Sequence, residues 1–175
     1  MPRLALPGII HDLNVKTMLD APCGDFGWLS SVALGVEQYF AADIVADLIV
    51  QNSGRHARAD REFLQLDITR DELPSTELIL CRDCLVHLSI THIQDAIRNF
   101  RRGGAQWLLT TTFPGTDQNM DIEDGDWRCL NFEKPPFSLP APVLCINEEC
   151  EEAGGAYRDK SLGLWPLSSL YRDRH

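Results

Sequence analysis

The stretch that decides the fold is Lys16–Trp28, KTMLDAPCGDFGW. A short and mostly apolar run ends at Asp20, and a Pro-Cys-Gly turn follows it. Phe26–Leu34 is then predicted to form a helix that ends at Gly35. A strand that ends in an acid, a tight turn and a helix start are typical of a nucleotide or cofactor cradle, because the backbone N–H groups of the turn and the positive end of the helix face a ligand.

The composition limits what the chain can be. Its 175 residues, 44% hydrophobic and 24% charged, fit one globular domain over residues 1–175 with a sizeable core. The 16 Lys and Arg against 26 Asp and Glu give a net charge of -10, which argues against nucleic acid as the main partner, because binding a nucleic-acid backbone requires clustered positive charge.

Targeting signals and disulfides are not predicted either. No segment approaches the roughly 20 apolar residues of a membrane span. The first residues, MPRLALPGIIHDLN, lack a cleavable signal pattern, so we expect a cytoplasmic protein without a membrane partner. We expect its six cysteines to be reduced thiols. Cys81-x-x-Cys84 has no second pair of ligands to complete a zinc site, and no metal site is predicted.

Apolar runs and turn signals along the chain predict alternating strands and helices. We expect little regular structure in the 1–16 lead beyond one helical turn around residues 9–13. Apolar stripes and capping residues predict two further helices. One covers 45–53 and is ended by Gly54, and the other runs from Ser89 or Thr91 to Arg102. The expected strands cover 17–21, 38–42, 61–66, 77–81 and 106–112. This alternation indicates a parallel sheet with helices on both faces.

The pattern changes after the fifth strand. Gly115–Asp126 is polar and acid-rich, which predicts a long surface loop, and Trp127–Pro142 is rich in proline and aromatic residues. Residues 143–147 and 160–167 are predicted to be strands without a helix between them, which favours an antiparallel pair. The acidic stretch between them, Glu148–Glu152, is interpreted as a solvated turn.

Two motifs give the chain a family resemblance. LDAPCGDFGW resembles the D-x-P-C-G-x-x-x-W form of the first motif of class I S-adenosylmethionine-dependent methyltransferases. CRDCLVHLS, at the end of the fourth strand, resembles the fourth motif of that family. The resemblance covers roughly residues 17–167. It implies a Rossmann-like, doubly wound α/β fold with a seven-stranded, mostly parallel sheet and a C-terminal antiparallel hairpin, and it implies S-adenosyl-L-methionine as the cofactor.

The resemblance also implies roles for residues at the strand ends. Asp20 would approach the methionine part of the cofactor, Asp43 would bind the ribose hydroxyls, and Asp67 would accept from the adenine amino group. An acid about 20 residues after the first turn has that ribose role in dinucleotide folds as well. The cofactor-binding residues predicted in this way are Asp20, Pro22, Cys23, Gly24, Trp28, Asp43, Ile44, Leu66, Asp67, Ile68 and Arg82.

Methyl transfer from a sulfonium requires mainly the positioning of two reactants, and an oxygen acceptor also benefits from a general base. Asp83 and His87 are the candidate catalytic residues. The 113–142 segment mixes polar and aromatic side chains, which suits a small or medium polar molecule that is methylated on oxygen or nitrogen. The predicted acceptor-binding residues are Thr112, Phe113, Asn119, Asp121, Trp127, Arg128 and Asn131.

Other interpretations of the sequence remain open. The chain fits a module that binds adenosylmethionine without catalysis, and Asp43 also suits the ribose of NAD in an oxidoreductase, although the G-x-G-x-x-G turn of that class is missing. Only 16 residues precede the first strand, where many relatives carry helices that cover the cofactor. The lid is therefore minimal, or a partner subunit or second copy completes it, or the chain is a fragment.

Overall fold

The computed structural model describes residues 2–169. It contains one seven-stranded sheet with the order β3-β2-β1-β4-β5-β7-β6. Strands β1 to β5 are parallel, and β7 pairs antiparallel with both β5 and β6. The predicted mostly parallel sheet with a C-terminal antiparallel hairpin is confirmed. The strands are β1 (Thr17–Asp20), β2 (Gln38–Asp43), β3 (Arg61–Gln65), β4 (Leu78–Cys81), β5 (Trp107–Thr112), β6 (Leu144–Asn147) and β7 (Ser161–Pro166).

The helices are α1 (Pro2–Asp12), α2 (Ala46–His56), α3 (Ile90–Arg102) and the short, kinked α4 (Glu152–Gly155). Within β1, Met18 and Leu19 point to opposite faces, and each face has its own core. On one face, Leu19 joins the apolar stripe of α3. On the other face, Met18 joins α1, α2 and the 26–34 segment. None of the helices within residues 2–169 is long and apolar enough to cross a membrane.

Helix α3 begins and ends as its sequence predicts. The side chain of Ser89 accepts a hydrogen bond from the backbone N–H of His92 at 3.4 Å, so Ser89 is the N-cap rather than Thr91. The stripe Ile93, Ala96, Ile97 and Phe100 is fully buried against the sheet. Burial of this stripe, rather than helix propensity alone, holds α3 in place.

The predicted helix over Phe26–Leu34 is wrong, because this segment is a series of turns. Phe26 has a φ of 61°, which a right-handed helix does not allow. The Asp25 carboxylate also accepts from the Gly27 N–H at 2.9 Å and closes a local turn. The Phe26 ring is buried and packs at 5.8 Å from Tyr39 and edge-on at 5.3 Å to Phe63. Tertiary packing of this ring therefore overrides the helical pattern.

The N-terminal prediction is also wrong, since α1 has 11 residues rather than one turn. Leu6, Ile9 and Ile10 lie on one face of α1 and are buried, and this burial outweighs the breaking tendency of Pro7 within the helix. Gly54 likewise lies inside α2 and does not end it.

Candidate functional site

Four acids lie at the carboxyl edge of the parallel strands. Asp20 and Asp43 are the last residues of β1 and β2, and Asp67 and Asp83 lie two residues beyond β3 and β4. Because these four strands are parallel neighbours, their carboxyl ends share one edge of the sheet. This edge is where ligands bind in open α/β folds.

The turn after β1 is tied to the end of β2. The Cys23 N–H donates to the Ala42 carbonyl at 2.8 Å, and the Gly24 N–H donates to Asp43 Oδ2 at 3.1 Å. Gly24 has a φ of 52°, a conformation that favours glycine. Asn52 of α2 donates to the Gly24 carbonyl at 2.8 Å. The turn is therefore held from both sides.

Two side chains of this turn region are shielded from solvent. Burial, followed by the charges of Asp20 and Asp43, raises the pKa of the Cys23 thiol to about 12, so the thiol is neutral at physiological pH. Asp20 is 5% exposed and accepts a hydrogen bond from the Tyr39 hydroxyl at 2.5 Å. Burial raises the Asp20 pKa to about 7, although the Tyr39 hydrogen bond opposes the shift. The Asp20 side chain is therefore buried below the carboxyl edge of the sheet, where it is hydrogen-bonded to Tyr39.

A first cavity, of about 100 Å³, lies at the ends of β2 and β3, and we call it the strand-end cavity. Ile44 is 60% exposed although it is a large aliphatic residue, because it forms an open wall of this cavity. The lining is largely apolar, with two carboxylates. It consists of Ala21, Pro22, Ala42, Asp43, Ile44, Leu66, Asp67, Ile68, Thr69, Cys84 and Leu88.

Both carboxylates of the strand-end cavity also brace the backbone. Asp43 accepts from the N–H groups of Gly24 and Val45, at 3.1 and 3.0 Å. Asp67 accepts from the N–H and the hydroxyl of Thr69, at 2.9 and 2.6 Å, and pairs with Arg70 at 3.0 Å. Burial alone would raise the Asp67 pKa, but the Thr69 hydrogen bonds and the Arg70 charge outweigh it and lower the pKa. Asp67 therefore stays ionised at neutral pH.

Arg82 connects the first turn region with the later part of the chain. Its guanidinium lies over the Trp28 ring at 4.8 Å from the ring centroid. It also donates to Glu148 Oε1 at 2.8 Å and pairs with Asp83 at 3.0 Å. Cation–π contacts of this kind contribute about 0.5–2 kcal/mol. Trp28 is thereby fixed against the segment that follows β4.

Lys160 completes a network of four charges with Arg82, Asp83 and Glu148. Its ammonium lies 2.8 Å from Asp83 Oδ1 and 3.5 Å from Glu148 Oε2. Burial lowers the Lys160 pKa, but the hydrogen bond and charge of Asp83, with the charge of Glu148, raise it overall. The Glu148 side chain is only 5% exposed, so its interpretation as part of a solvated turn is wrong.

The sequence interpretation missed Glu148 and Lys160 as site residues. Glu148 directly follows β6 and Lys160 directly precedes β7, at the ends of an antiparallel pair. Because β6 runs parallel to β5, this end of the hairpin lies on the same edge as the four strand-end acids. The position of Glu148 and Lys160 at the ends of the predicted hairpin was the sequence signal that could have placed them at this edge.

A second cavity, of about 410 Å³, lies beside this network, and we call it the aromatic cavity. Three rings meet in it: Trp127 and Tyr157 have centroids 4.8 Å apart, and Phe113 lies 6.0 and 6.2 Å from them. The lining residues are Asp83, His87, Phe113, Trp127, Glu152, Tyr157 and Lys160.

His87 lines the aromatic cavity in a defined tautomer. Its Nδ1 lies 2.8 Å from the backbone carbonyl of Asp126. A carbonyl oxygen only accepts, so Nδ1 carries a proton in this contact and Nε2 of the neutral ring keeps a lone pair. The Gly125 N–H also donates to the His87 carbonyl at 2.8 Å, which fixes the 125–126 turn beside the ring. Nε2 is therefore suited to accept a proton.

The predicted acceptor-binding residues divide into two groups. Phe113 and Trp127 line the aromatic cavity. The polar side chains of the other five bind backbone groups instead. Arg128 donates to three carbonyls, including Leu85 at 3.0 Å and Leu88 at 2.6 Å. The Thr112 hydroxyl donates to the Leu130 carbonyl. Asn119 and Asn131 bind backbone groups within residues 114–135. Asp121 accepts a hydrogen bond from the first N–H of α3.

No family model and no curated protein matches this sequence. Solved structures match it over most of its length. The methyltransferase domain of bacterial CtHen1-C matches with a TM-score of 0.69 at 15% identity, over 95% of this chain and 96% of that chain. N-methyltransferase NodS from Bradyrhizobium japonicum WM9 matches with a TM-score of 0.68 at 15% identity, over 94% and 92%.

A third match is human N-acetylserotonin methyltransferase in complex with SAM, with a TM-score of 0.62 at 10% identity, over 93% of this chain and 51% of that chain. At these identities the similarity is one of fold. The strand order and the three matches indicate the same fold. The chain therefore has the fold of the class I S-adenosylmethionine-dependent methyltransferases.

Proposed function

We propose that this protein is a methyltransferase that binds S-adenosylmethionine at the strand-end cavity and methylates an acceptor held in the aromatic cavity. The observation that carries the proposal is the position of residues 83–88. Cys84 and Leu88 line the strand-end cavity, whereas Asp83 and His87 line the aromatic cavity. One short segment therefore lines both the strand-end cavity at the edge of the sheet and a second cavity that contains a proton acceptor.

The lining of the strand-end cavity has the chemistry that the adenosine part of this cofactor requires. Apolar walls beside Leu66 and Ile68 suit a flat heteroaromatic ring, and the Asp67 carboxylate suits its amino group. Asp43 would accept from the ribose hydroxyls. Each of its oxygens already accepts one backbone hydrogen bond but has a second lone pair for a ligand.

The methionine part would then extend along the edge towards β4. Pro22, Cys23 and Gly24 form the turn there, and Arg82 is held over Trp28. Asp20 lies below this turn, so its predicted contact with the methionine ammonium would be made from beneath. Several polar groups surround this end, as the charged amino acid moiety requires.

Bound S-adenosylmethionine would supply an already activated methyl group. The work of the protein is then to exclude water, to orient the acceptor and to remove its proton. His87 Nε2 is the group we assign to proton removal. The other candidate, Asp83, has both oxygens engaged by Lys160 and Arg82, so it is better suited to hold the Lys160 ammonium.

Binding of S-adenosylhomocysteine, measured by calorimetry, tests the cofactor assignment. Ile44→Ala removes an exposed apolar wall of the strand-end cavity, and we expect about fivefold weaker binding from the lost apolar contact. Val50→Ala is the matched control, because Val50 is 71% exposed on α2 and does not line the cavity. Binding of NAD without either sulfur ligand would contradict the proposal and favour an oxidoreductase.

Methyl transfer from a labelled donor to a panel of sugars, phenols and amines tests the catalytic assignment. We expect His87→Ala to slow methyl transfer by about 100-fold or more, while binding of S-adenosylhomocysteine is retained. His92→Ala is the control, since His92 contacts Asp124 outside the aromatic cavity. Cofactor binding with no transfer to any acceptor class would instead favour a non-catalytic binding module.

A further inference from the structure

The three rings of the aromatic cavity form an open corner. The planes of Trp127 and Tyr157 meet at 67°, and Phe113 stands edge-on to both. Phe113 is only 1% exposed and closes the base of the corner, whereas Trp127 is 41% exposed. A large indole left this exposed beside a second ring leaves aromatic surface open to a ligand.

The charges around this corner are unequal. Asp83 and Lys160 pair with each other at 2.8 Å, and Lys160 also pairs with Glu148, so the positive charge at the cavity is already compensated. Glu152 lines the cavity too. Within the described part of the chain, Glu152 forms no ion pair. The cavity therefore combines aromatic faces with an uncompensated carboxylate.

We propose that the aromatic cavity recognises an alkylammonium group, and that the methyl acceptor is therefore an amine rather than an alcohol. This inference rests on the proposed methyltransferase function. Aromatic faces attract cations through the ring quadrupole by about 0.5–2 kcal/mol, and a nearby carboxylate adds to the attraction. A neutral hydroxyl acceptor could only donate a hydrogen bond to Glu152, without the charge attraction, and would gain little from the ring quadrupole.

His87 fits an ammonium ligand as well. The acceptor nitrogen arrives protonated and gives one proton to His87 Nε2, which frees its lone pair. That lone pair forms the new nitrogen–carbon bond to the methyl group, while the sulfur keeps the electron pair of the broken sulfur–carbon bond. His87 then releases the proton to solvent, so charge and atoms balance.

The test compares two ligands that differ only in charge. Choline carries a trimethylammonium group, and its uncharged isostere carries a tert-butyl group in the same place. Binding of each to the full chain, in the presence and absence of S-adenosylhomocysteine, is measured by calorimetry and by indole chemical shifts. We expect choline to bind about tenfold more tightly than the isostere.

Variants locate the effect in the cavity. Trp127→Ala and Tyr157→Ala should each weaken choline binding about fivefold or more, whereas Trp127→Phe and Tyr157→Phe, which keep a ring, should retain most of it. Glu152→Gln should weaken choline but not the isostere. Met120→Ala is the control, because Met120 is 66% exposed in the same loop and does not line the cavity.

Each result has a distinct meaning. Equal affinity for choline and its isostere, or choline binding that Trp127→Ala leaves unchanged, overturns the ammonium assignment even when S-adenosylhomocysteine binds. Choline selectivity without any S-adenosylhomocysteine binding supports the ammonium site and contradicts the methyltransferase proposal. Selectivity lost in Trp127→Ala but kept in Trp127→Phe, together with cofactor-product binding, supports both.

Discussion

The strand-end cavity and the aromatic cavity share residues 83–88 as a lining segment, and they use polar side chains in different ways. In the strand-end cavity, Asp43 and Asp67 bind backbone N–H groups of neighbouring turns, and the remaining walls are mostly apolar. In the aromatic cavity, Asp83 and Lys160 pair with each other, Glu152 forms no ion pair within the described residues, and three of the walls are aromatic rings.

The difference shows how each side is built. The strand-end cavity is made by the backbone, and its shape depends on a few carboxylates that hold turns together. The aromatic cavity is made by side chains from residues 83 to 160, and its shape depends on packing between distant segments. Substitutions should therefore affect folding more on the first side and ligand choice more on the second.

The largest effect should follow from Asp43→Ala. The change leaves the N–H groups of Gly24 and Val45 without their carboxylate acceptor, and two hydrogen bonds to a charged group contribute enough that we expect a loss of about 3 kcal/mol. Urea unfolding measures this loss, and S-adenosylhomocysteine binding should weaken in parallel. Asp47→Ala, at an exposed position in the first turn of α2, is the control. Equal stabilities of the two variants would show that Asp43 does not brace the turn.

A pH-dependent effect should come from Asp20, beneath the edge. Its pKa is about 7 in the folded chain against 3.8 in the unfolded reference, so unfolding releases a proton between these values. The free energy of unfolding should then fall as pH rises, by up to about 1.4 kcal/mol per unit, and level off above pH 7. Asp20→Asn removes the titration, so its advantage over the wild type should grow between about pH 5 and pH 7. Urea unfolding at several pH values measures both free energies. If the free energies of unfolding of the wild type and of Asp20→Asn change in parallel with pH, Asp20 is not a buried, protonated carboxyl group.

On the aromatic side, Lys160→Met tests the charge network. It leaves Asp83 and Glu148 without their shared ammonium, and we expect a loss of about 2 kcal/mol, whereas Lys160→Arg should lose less. Lys16→Met, which breaks an exposed pair with Glu37, should cost under about 1 kcal/mol. The S-adenosylhomocysteine affinity of Lys160→Met should stay within about twofold, since Lys160 does not line the strand-end cavity. A larger loss would show that the two sides are not separable.

The smallest effects compare two glycines. Gly24 has a φ of 52° with no atom within 4 Å of an added Cβ, so Gly24→Ala costs backbone strain alone, about 1 kcal/mol. Gly54 lies inside α2 with equally open space, so Gly54→Ala should stabilise the chain by about 1 kcal/mol. Thermal unfolding should shift in opposite directions for the two. A shift in the same direction would mean that the turn conformation at Gly24 is not required.

The sequence predicted the sheet well because its signals are local. Runs such as Leu78–Cys81 are apolar throughout, as expected of a strand buried on both faces, and each strand-end acid either ends its strand or lies two residues beyond it. The fold and the position of the edge follow from this pattern. The helix at Phe26–Leu34 failed because the Phe26 ring packs against β2 and β3, a contact that periodicity does not contain.

The site was predicted less completely, for the same reason. Arg128 and Asn131 have the residue types of a binding loop, but their side chains bind backbone carbonyls of nearby segments. Lys160 reaches Asp83 across 77 positions of sequence, and Tyr157, between β6 and β7, packs against Trp127, which precedes both strands. Pairings over such separations depend on the three-dimensional path of the chain, and no short motif encodes them.

The shared segment 83–88 has a thermodynamic consequence. A ligand that shifts this segment from the strand-end side changes the affinity of the aromatic side by some factor, and linkage requires the reverse effect to have the same size. The dissociation constants of S-adenosylhomocysteine and of choline can each be measured with and without the other ligand. The factor by which choline changes the first constant should equal the factor by which S-adenosylhomocysteine changes the second. The logarithm of this factor, multiplied by −RT, is the coupling free energy that residues 83–88 transmit between the two sites.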